Sequence, residues 1–260
     1  MFVCAALFER GASMNIRVFE SEQEAAAACA ARIAEAVTAH PSLVLGLPTG
    51  RTPLNVYREL VALQARRRLD WSMARTFNLE EWVGLSPEDG GSFHAYMERH
   101  LFRHVNLSKE RIHFLDGTVS DFAQECERYE AELMAEGGLG LVLVGVGADG
   151  HLAFNAPSDH LRARCHRAKL SRGAREANAM FFGDDASRVP LEVLTLGMGA
   201  LIQSRRAMLL AFGAQKAEAV KALVEGPLTP SCPASFLQLH RDVEVWLDVP
   251  AASALAGRVQ

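Results

Sequence analysis

Long apolar runs are absent from this sequence of 260 residues, and no stretch approaches the roughly 20 apolar residues that a membrane-spanning helix needs. Cysteine is scarce. Its five copies are scattered and share no Cys-X-X-Cys spacing, which is typical of reduced thiols in a cytoplasm. An excess of positive charge is also lacking, because the formal net charge is −4. We therefore expect a cytoplasmic protein with no membrane and no nucleic-acid partner.

Linkers, internal repeats and low-complexity segments are lacking too, and the composition of 49% hydrophobic and 22% charged residues is that of an ordinary globular domain. Residues 1–13 are mildly apolar but lack a basic start and are too short for a convincing signal sequence. Met14 is an alternative start for the chain. We assign no role to residues 1–13 and expect one domain over residues 14–260.

Strand-like and helix-like segments alternate along the chain, which predicts a doubly wound, mostly parallel α/β sheet of the Rossmann-like kind, with helices on both faces. Strands are predicted at residues 15–19, 42–47, 75–79, 112–115, 191–196, 207–212 and 243–247, with another beginning at Val142. Helices are predicted at about residues 22–38, 54–67, 92–105, 121–136, 215–225 and 233–239.

The turn Asp149-Gly150-His151 places an acid and an imidazole one residue apart, directly after the apolar run that starts at Val142. Apolar residues without polar alternation are typical of a strand buried on both faces of a parallel sheet. Open α/β sheets bind their ligands at the carboxyl ends of such strands. Taken alone, the turn is more often a surface accident than a site, so its meaning depends on the other strand ends.

A second turn, after the predicted strand at residues 42–47, has the composition of an anion cradle. Its residues are Pro48, Thr49, Gly50, Arg51 and Thr52. Glycine lets backbone amides approach an oxyanion, and the helix that follows points its positive end there, so a phosphate is the natural guest, although an empty connection is equally compatible. The spacing is neither that of a nucleotide P-loop nor that of a dinucleotide fingerprint, and no cofactor is predicted.

Glu80 and Glu81 end the next predicted strand and bring two carboxylates to the same edge of the sheet. Adjacent acids most often form a solvated loop. Together with the other two turns, however, they predict a cleft with an anion cradle, carboxylate bases and an imidazole. No metal site is predicted, because His160, Cys165 and His166 match no common zinc spacing and have basic neighbours.

Several segments resemble, in order and spacing, the glucosamine-6-phosphate deaminase family, whose superfamily also contains 6-phosphogluconolactonases. The segments are Gly46–Pro53, Thr76–Leu85, Gly145–Asn155, Ala177–Phe182 with Val189-Pro190, and Gly213–Lys216. The resemblance spans roughly residues 15–248, nearly the whole chain.

The resemblance implies a metal-free conversion of glucosamine 6-phosphate and water to fructose 6-phosphate and ammonia. It implies that His151 helps to open the sugar ring, that Asp149 orients this machinery, and that Glu80 moves a proton from C2 to C1 of the sugar. Lys216 is expected to bind the substrate phosphate beside the cradle. The resemblance also implies a mobile lid at about residues 170–189 and a possible homo-oligomer, since the family contains monomers and hexamers.

Some positions depart from the family pattern. Glu80 stands where the family has aspartate, and its extra methylene moves the carboxylate by roughly 1 Å. The glutamate that supports the histidine falls at Ala156, which predicts that no neighbouring carboxylate holds the imidazole. The phosphate-binding arginine falls at Met180, and we hypothesise that Arg51 replaces it. An arginine that binds the activator in regulated members falls at His166, so activation by N-acetylglucosamine 6-phosphate is not expected.

Two other functional classes stay open at this point. One is a hydrolase of the lactonase branch, in which His151 would activate water against a 6-phosphogluconolactone. The other is a weakly active or non-catalytic sugar-phosphate-binding paralogue. Phe154-Asn155 and the run from Asn78 to Glu81 favour the deaminase branch. We see no helix-turn-helix segment before Asn15, which argues against a transcription regulator acting alone.

Overall fold

The computed structural model describes residues 14–256, so the predicted extension at residues 1–13 lies outside the described residues. The strands are β1 (Asn15–Phe19), β2 (Val44–Leu47), β3 (Arg75–Asn78), β4 (Glu80–Trp82), β5 (Ile112–His113), β6 (Leu141–Gly145), β7 (His166–Lys169), β8 (Glu192–Thr195), β9 (Ala207–Ala211) and β10 (Val243–Asp248). The α-helices are α1 (Glu22–Ala39), α2 (Leu54–Ala65), α3 (Phe93–His100), α4 (Phe122–Ala135), α5 (Arg172–Asn178), α6 (Met198–Ile202), α7 (Ala217–Glu225) and α8 (Val249–Ala252).

Seven strands form a sheet in the order β1-β10-β9-β6-β2-β3-β5, and every neighbouring pair in it is parallel. The chain passes from β2 outward through β3 to β5, and then returns to the other side of β2 with β6. The direction of winding therefore reverses between β2 and β6. Ligands of doubly wound sheets bind at the carboxyl ends of the strands beside such a reversal. The predicted fold class is confirmed.

The sheet is buried on both faces, which explains the apolar runs without alternation. Leu141 and Leu143 pack on one face with α1, α2 and α3, whereas Val142 and Val144 pack on the other with α4, α7 and α8. Side chains alternate across a strand, so a run of four apolar residues supplies both cores. Within residues 14–256, no helix combines the length and the apolar character needed to cross a membrane.

A second, antiparallel sheet of three strands corrects part of the sequence-based prediction. It has the order β4-β8-β7. Glu80 to Trp82 therefore form a strand rather than a turn, and the predicted strand at residues 191–196 joins this small sheet instead of the main one. Residues His166–Lys169, for which no strand was predicted, form its outer strand β7.

Two predicted helices also differ in the structure. The helix predicted over residues 92–105 ends at His100 and is followed by a 3-10 turn at Phe102–His104. The helix predicted at residues 233–239 is a 3-10 helix over Pro233–Leu239. Their positions in the chain were predicted, but the sequence did not separate the two kinds of helix.

Candidate active site

Four adjacent strands bring the predicted site residues to one edge of the main sheet. The strands β3, β2, β6 and β9 are consecutive neighbours and parallel, so their carboxyl ends lie side by side. Glu80 follows β3, the cradle at residues 48–52 follows β2, His151 follows β6, and Lys216 follows β9. The convergence that the sequence predicts for its strand ends is therefore present in the fold.

The cradle presents three consecutive backbone amides without a protein acceptor. Among residues 14–256, no carbonyl or side chain accepts a hydrogen bond from the amides of Gly50, Arg51 and Thr52. Gly50 has a φ of 107°, a conformation that strongly favours glycine. A loop of unpaired amides before a helix N-terminus is a typical anion-binding arrangement. Pro48 is buried beneath the loop, while the Arg51 side chain is exposed.

Two tyrosines hold the carbonyls of this loop from behind. The Tyr57 hydroxyl, on α2, donates to the Pro48 carbonyl at 2.5 Å. The Tyr96 hydroxyl, on α3, donates to the Gly50 carbonyl at 2.6 Å. Both contacts were missed from the sequence. The sequence of 260 residues has only three tyrosines, but it does not indicate which carbonyls their hydroxyls bind.

Glu80 is buried beneath the cradle and bonded to it. Its Oε1 accepts hydrogen bonds from the Thr49 amide and the Thr49 hydroxyl, both at 3.2 Å. Its Oε2 is buried and has no partner among the described residues. Burial raises the pKa of Glu80 to about 7, although the two Thr49 hydrogen bonds oppose the shift. The carboxyl can therefore lose or gain a proton near neutral pH, as a general base must.

Glu81 points away from this carboxylate and serves the backbone. Its Oε1 accepts from the amides of Trp82 and Phe93, and its Oε2 accepts from the amide of His94. The last two amides belong to the first turn of α3, where backbone donors have no intrahelical acceptor. Glu81, predicted as a second carboxylate of the site, is thus fully engaged as a cap for α3.

Asp149 and His151 form a close pair at the end of β6. The Oδ1 of Asp149 lies 2.6 Å from Nδ1 of His151. This hydrogen bond lowers the pKa of Asp149 to about 2, so the aspartate is ionised and accepts a hydrogen bond from the protonated Nδ1 of His151. In the tautomer assigned by this geometry Nδ1 carries the proton, and Nε2 is the unprotonated, basic nitrogen. The expectation that no carboxylate holds the imidazole is therefore wrong, because Asp149 does so from two residues away.

The turn that carries this pair depends on two glycines. A Cβ on Gly147 would collide with the His151 ring, so the ring lies directly over residue 147. Gly150 has a φ of 86°, and a Cβ there would collide with the Cys232 sulfur. The Ala234 amide donates to the Gly150 carbonyl at 2.9 Å and fixes the turn from below.

Lys216 is half-buried on the same side as the Asp149–His151 pair. Burial lowers the pKa of its amine, and the nearby negative charge of Asp149 raises it. Ala156 and Asp159 are exposed, and within residues 14–256 no hydrogen bond joins Asp159 to the imidazole. Met180 is half-buried in the 3-10 helix Ala179–Phe182, within the predicted lid.

The small sheet and the predicted lid segment adjoin the site. The Asn155 side-chain amide donates to the Leu196 carbonyl at 2.9 Å, which ties the end of the His151 turn to β8. Phe181 and Phe182, in the lid segment, pack against the Trp82 ring that follows Glu81. Movement of this segment stays a prediction.

A second polar pair, Ser204 and His240, lies at the amino edge of the sheet and has no nucleophilic geometry. Nδ1 of His240 accepts from the Asp242 amide at 3.0 Å, so Nε2 carries the proton and faces the Ser204 hydroxyl at 2.9 Å. An imidazole that donates to a serine cannot remove the serine proton. Within residues 14–256, no group of three or more His, Cys, Asp or Glu side chains is arranged to hold a metal ion.

Known proteins share this sequence and fold. A family model described as glucosamine-6-phosphate isomerases/6-phosphogluconolactonase matches residues 19–246. Glucosamine-6-phosphate deaminase 1 of Giardia intestinalis is 44% identical over 224 residues, which are 86% of this chain and 84% of that protein. A glucosamine-6-phosphate deaminase of Thermoanaerobacter sp. is 36% identical over 242 residues, which are 93% of this chain and 95% of that protein.

Solved structures extend the comparison. A monomeric glucosamine-6-phosphate deaminase superposes with a TM-score of 0.90 at 36% identity, over 93% of this chain and 100% of that one. A 6-phosphogluconolactonase from Trypanosoma brucei superposes with a TM-score of 0.72 at 21% identity, over 94% of this chain and 99% of that one, and shares the fold. The chain belongs to the glucosamine-6-phosphate isomerase/6-phosphogluconolactonase family.

Proposed function

We propose that this protein converts glucosamine 6-phosphate and water to fructose 6-phosphate and ammonia. The observation that carries the proposal is the convergence of an anion cradle, a buried carboxyl with a pKa near 7, an acid–imidazole pair and a lysine on four neighbouring strand ends. Relatives named glucosamine-6-phosphate deaminase, similar over most of their length, support it. The four described cysteines are all free thiols, which supports a reducing compartment such as the cytoplasm.

Ring opening is assigned to His151. With Nδ1 bound to the ionised Asp149, Nε2 is free to take the proton of the anomeric hydroxyl and to deliver one to the ring oxygen. Asp149 fixes the orientation of the ring and stabilises the imidazolium that forms in this step. The pair thereby fulfils the role that a glutamate at position 156 would otherwise have.

Isomerisation is assigned to Glu80. The proton of C2 passes to the carboxylate and is returned to C1 while the C1 oxygen takes up a proton, which gives a hydroxyl at C1 and an iminium at C2. Water then adds to C2, and ammonia leaves as the C2 ketone forms. Thr49 holds Oε1, so Oε2 is the oxygen without a partner and the one that we assign to the proton transfer. Because Oε2 is buried in the described conformation, the substrate must reach it through a small rearrangement of the cleft.

Phosphate binding is assigned to the cradle and Lys216. The amides of Gly50, Arg51 and Thr52 supply hydrogen bonds in a fixed array, and the lysine supplies a positive charge. The guanidinium expected at position 180 is absent, since Met180 is apolar. The backbone array and the exposed Arg51 side chain therefore carry a larger share of the phosphate affinity in this protein.

The proposal is tested by measuring ammonia and fructose 6-phosphate released from glucosamine 6-phosphate, with hydrolysis of 6-phosphogluconolactone followed on the same preparation. Glu80→Gln keeps the shape of the side chain but removes the base, and we expect a loss in kcat of about 10²–10⁴-fold. A protein that hydrolyses the lactone faster than it releases ammonia, and retains that activity in Glu80→Gln, would be a lactonase. Loss of neither activity in the variant would remove Glu80 from the mechanism.

A further inference from the structure

The two tyrosines behind the cradle determine which way its peptide groups face. In a trans peptide the carbonyl and the amide hydrogen of the same unit point in opposite directions. The Tyr57 hydroxyl holds the Pro48 carbonyl, and the Thr49 amide of that unit points the other way, to Oε1 of Glu80. One tyrosine hydroxyl and one carboxylate thus hold this peptide from its two sides.

The peptide between Gly50 and Arg51 is held by a tyrosine in the same way, but on one side only. The Tyr96 hydroxyl holds the Gly50 carbonyl at 2.6 Å. The Arg51 amide of that unit must point away from Tyr96, and it has no acceptor among residues 14–256. Gly50 has a positive φ, and a glycine can change this angle at little energetic cost. An external contact is therefore needed to keep the peptide in one orientation.

Tyr96 also contacts the predicted lid segment. Its ring packs edge-on against Phe181, with ring centroids 5.5 Å apart. Phe181 directly follows Met180, the position without the expected guanidinium. The Tyr96 side chain is buried, and burial raises the pKa of its hydroxyl, which therefore stays a hydrogen-bond donor at all physiological pH values.

We propose that Tyr96 is a positioning residue for phosphate recognition: its hydroxyl fixes the peptide between Gly50 and Arg51 so that the Arg51 amide faces the bound phosphate. The inference rests on the function proposed for the site and adds a determinant of its affinity. Tyr57 has a different role on the same loop, because the peptide that it fixes donates to Glu80 and not to the phosphate.

The test compares Tyr96→Phe with Tyr57→Phe, two variants that each lose one hydroxyl and retain the ring. For Tyr96→Phe we expect an increase of about 3- to 10-fold in KM for glucosamine 6-phosphate, with kcat changed less than twofold. The inhibition constant of inorganic phosphate should rise by the same factor. For Tyr57→Phe we expect a lower kcat and a pH–rate midpoint shifted upward, because the Thr49 hydrogen bonds that favour ionised Glu80 are weakened.

Thermal unfolding of both variants and calorimetric titration with inorganic phosphate complete the design. Unchanged phosphate affinity in Tyr96→Phe would overturn the inference. The inference would also be overturned if the two variants showed the same decrease in kcat and the same increase in KM. A merely structural role predicts this result, because both substitutions would then act through stability alone. If the wild-type protein binds phosphate but releases no ammonia, the proposed function fails, and the phosphate titrations of the two variants still decide the role of Tyr96.

Discussion

At the scale of single residues, Glu80 shows how burial sets chemistry. The carboxyl is only 4% exposed, and its pKa of about 7 lies close to neutral pH. Because the ionised form is the base, we expect kcat to rise with pH through about 7 and to level off above it. The pH dependence of kcat, measured with saturating substrate, checks this. A midpoint near the ordinary glutamate value of 4.5 would show that the site does not desolvate Glu80 in the complex.

The length of the side chain at position 80 is a second residue-scale property. The change Glu80→Asp introduces the aspartate expected from the family resemblance but withdraws the carboxylate by roughly 1 Å from Thr49, and a displacement of this size can reduce kcat about a hundredfold. We therefore expect Glu80→Asp to be impaired in this protein. Steady-state kinetics on glucosamine 6-phosphate measure the effect, and an aspartate variant as fast as wild type would show that the backbone adjusts to either acid.

Arg51 is the exposed cation next to the unpaired amides. Its side chain has no hydrogen-bond partner among residues 14–256, so it is available to a bound anion. We expect Arg51→Ala to raise KM about 5- to 10-fold with little change in kcat, as for loss of one charge-assisted hydrogen bond. The matched control is Arg68→Ala, an exposed arginine beyond the opposite end of α2, which should leave KM unchanged. Equal KM values for the two variants would contradict the hypothesis that Arg51 replaces the phosphate-binding arginine expected at the position of Met180.

Residue identity was largely predictable at the site, whereas partners were not. The pattern of strand ends points to Glu80, Asp149 and His151, whereas Lys216 is expected only from the family resemblance. It does not show that Thr49 binds Glu80 across 31 positions of chain, since that contact depends on how β2 and β3 pair. It also led to a wrong expectation for the support of His151, because it shows no carboxylate at Ala156 and does not show that Asp149 reaches Nδ1.

At the scale of elements, α3 illustrates a helix end stabilised by a buried charge. Glu81 accepts two amides of the first turn of α3, in addition to its neighbour Trp82. Removal of the carboxylate in Glu81→Ala leaves these buried donors unpaired, and we expect a loss of about 1–3 kcal/mol in the free energy of unfolding. Glu81→Gln, which keeps one acceptor, should lose less. Chemical denaturation measures both, and equal stability of Glu81→Ala and wild type would refute the capping role.

The strands that the sequence missed belong to the small antiparallel sheet. β4 has three residues and β7 has four, with alternating burial in β7 and charged side chains that are typical of a surface segment. A strand this short is defined by its partner β8 and not by its own sequence. The strands β2, β6, β9 and β10 of the main sheet were predictable, since burial on both faces requires apolar runs.

At the scale of the whole molecule, the site exists only because the sheet reverses its winding. The cradle after β2 and the pair after β6 are about 100 positions apart in sequence, yet β2 and β6 are hydrogen-bonded neighbours. β9 then places Lys216 on the far side of β6. Strand order is a property of the complete fold, so the alternation of elements predicted the common edge but not which turns are adjacent along it.

Stability of the whole molecule should report the ionisation of Glu80. The pKa of Glu80 is about 7 in the folded state and has the ordinary value of 4.5 in the unfolded state. Between these two pH values the carboxyl is therefore largely protonated in the folded protein and largely ionised in the unfolded chain. The resulting stabilisation is complete below pH 4.5 and is lost as pH rises through 7. It amounts to about 3 kcal/mol, because each pKa unit corresponds to about 1.4 kcal/mol.

Glu80→Gln has no such titration and retains Glu81, whose pKa burial also raises and whose contribution therefore cancels in the comparison. We expect the free energy of unfolding of wild type to fall relative to that of Glu80→Gln, by about 3 kcal/mol between pH 4.5 and pH 8. Denaturant unfolding at a series of pH values measures both curves. Parallel curves would mean that the pKa of Glu80 is the same in the folded and the unfolded state, and they would remove the desolvation that makes it a base near neutral pH.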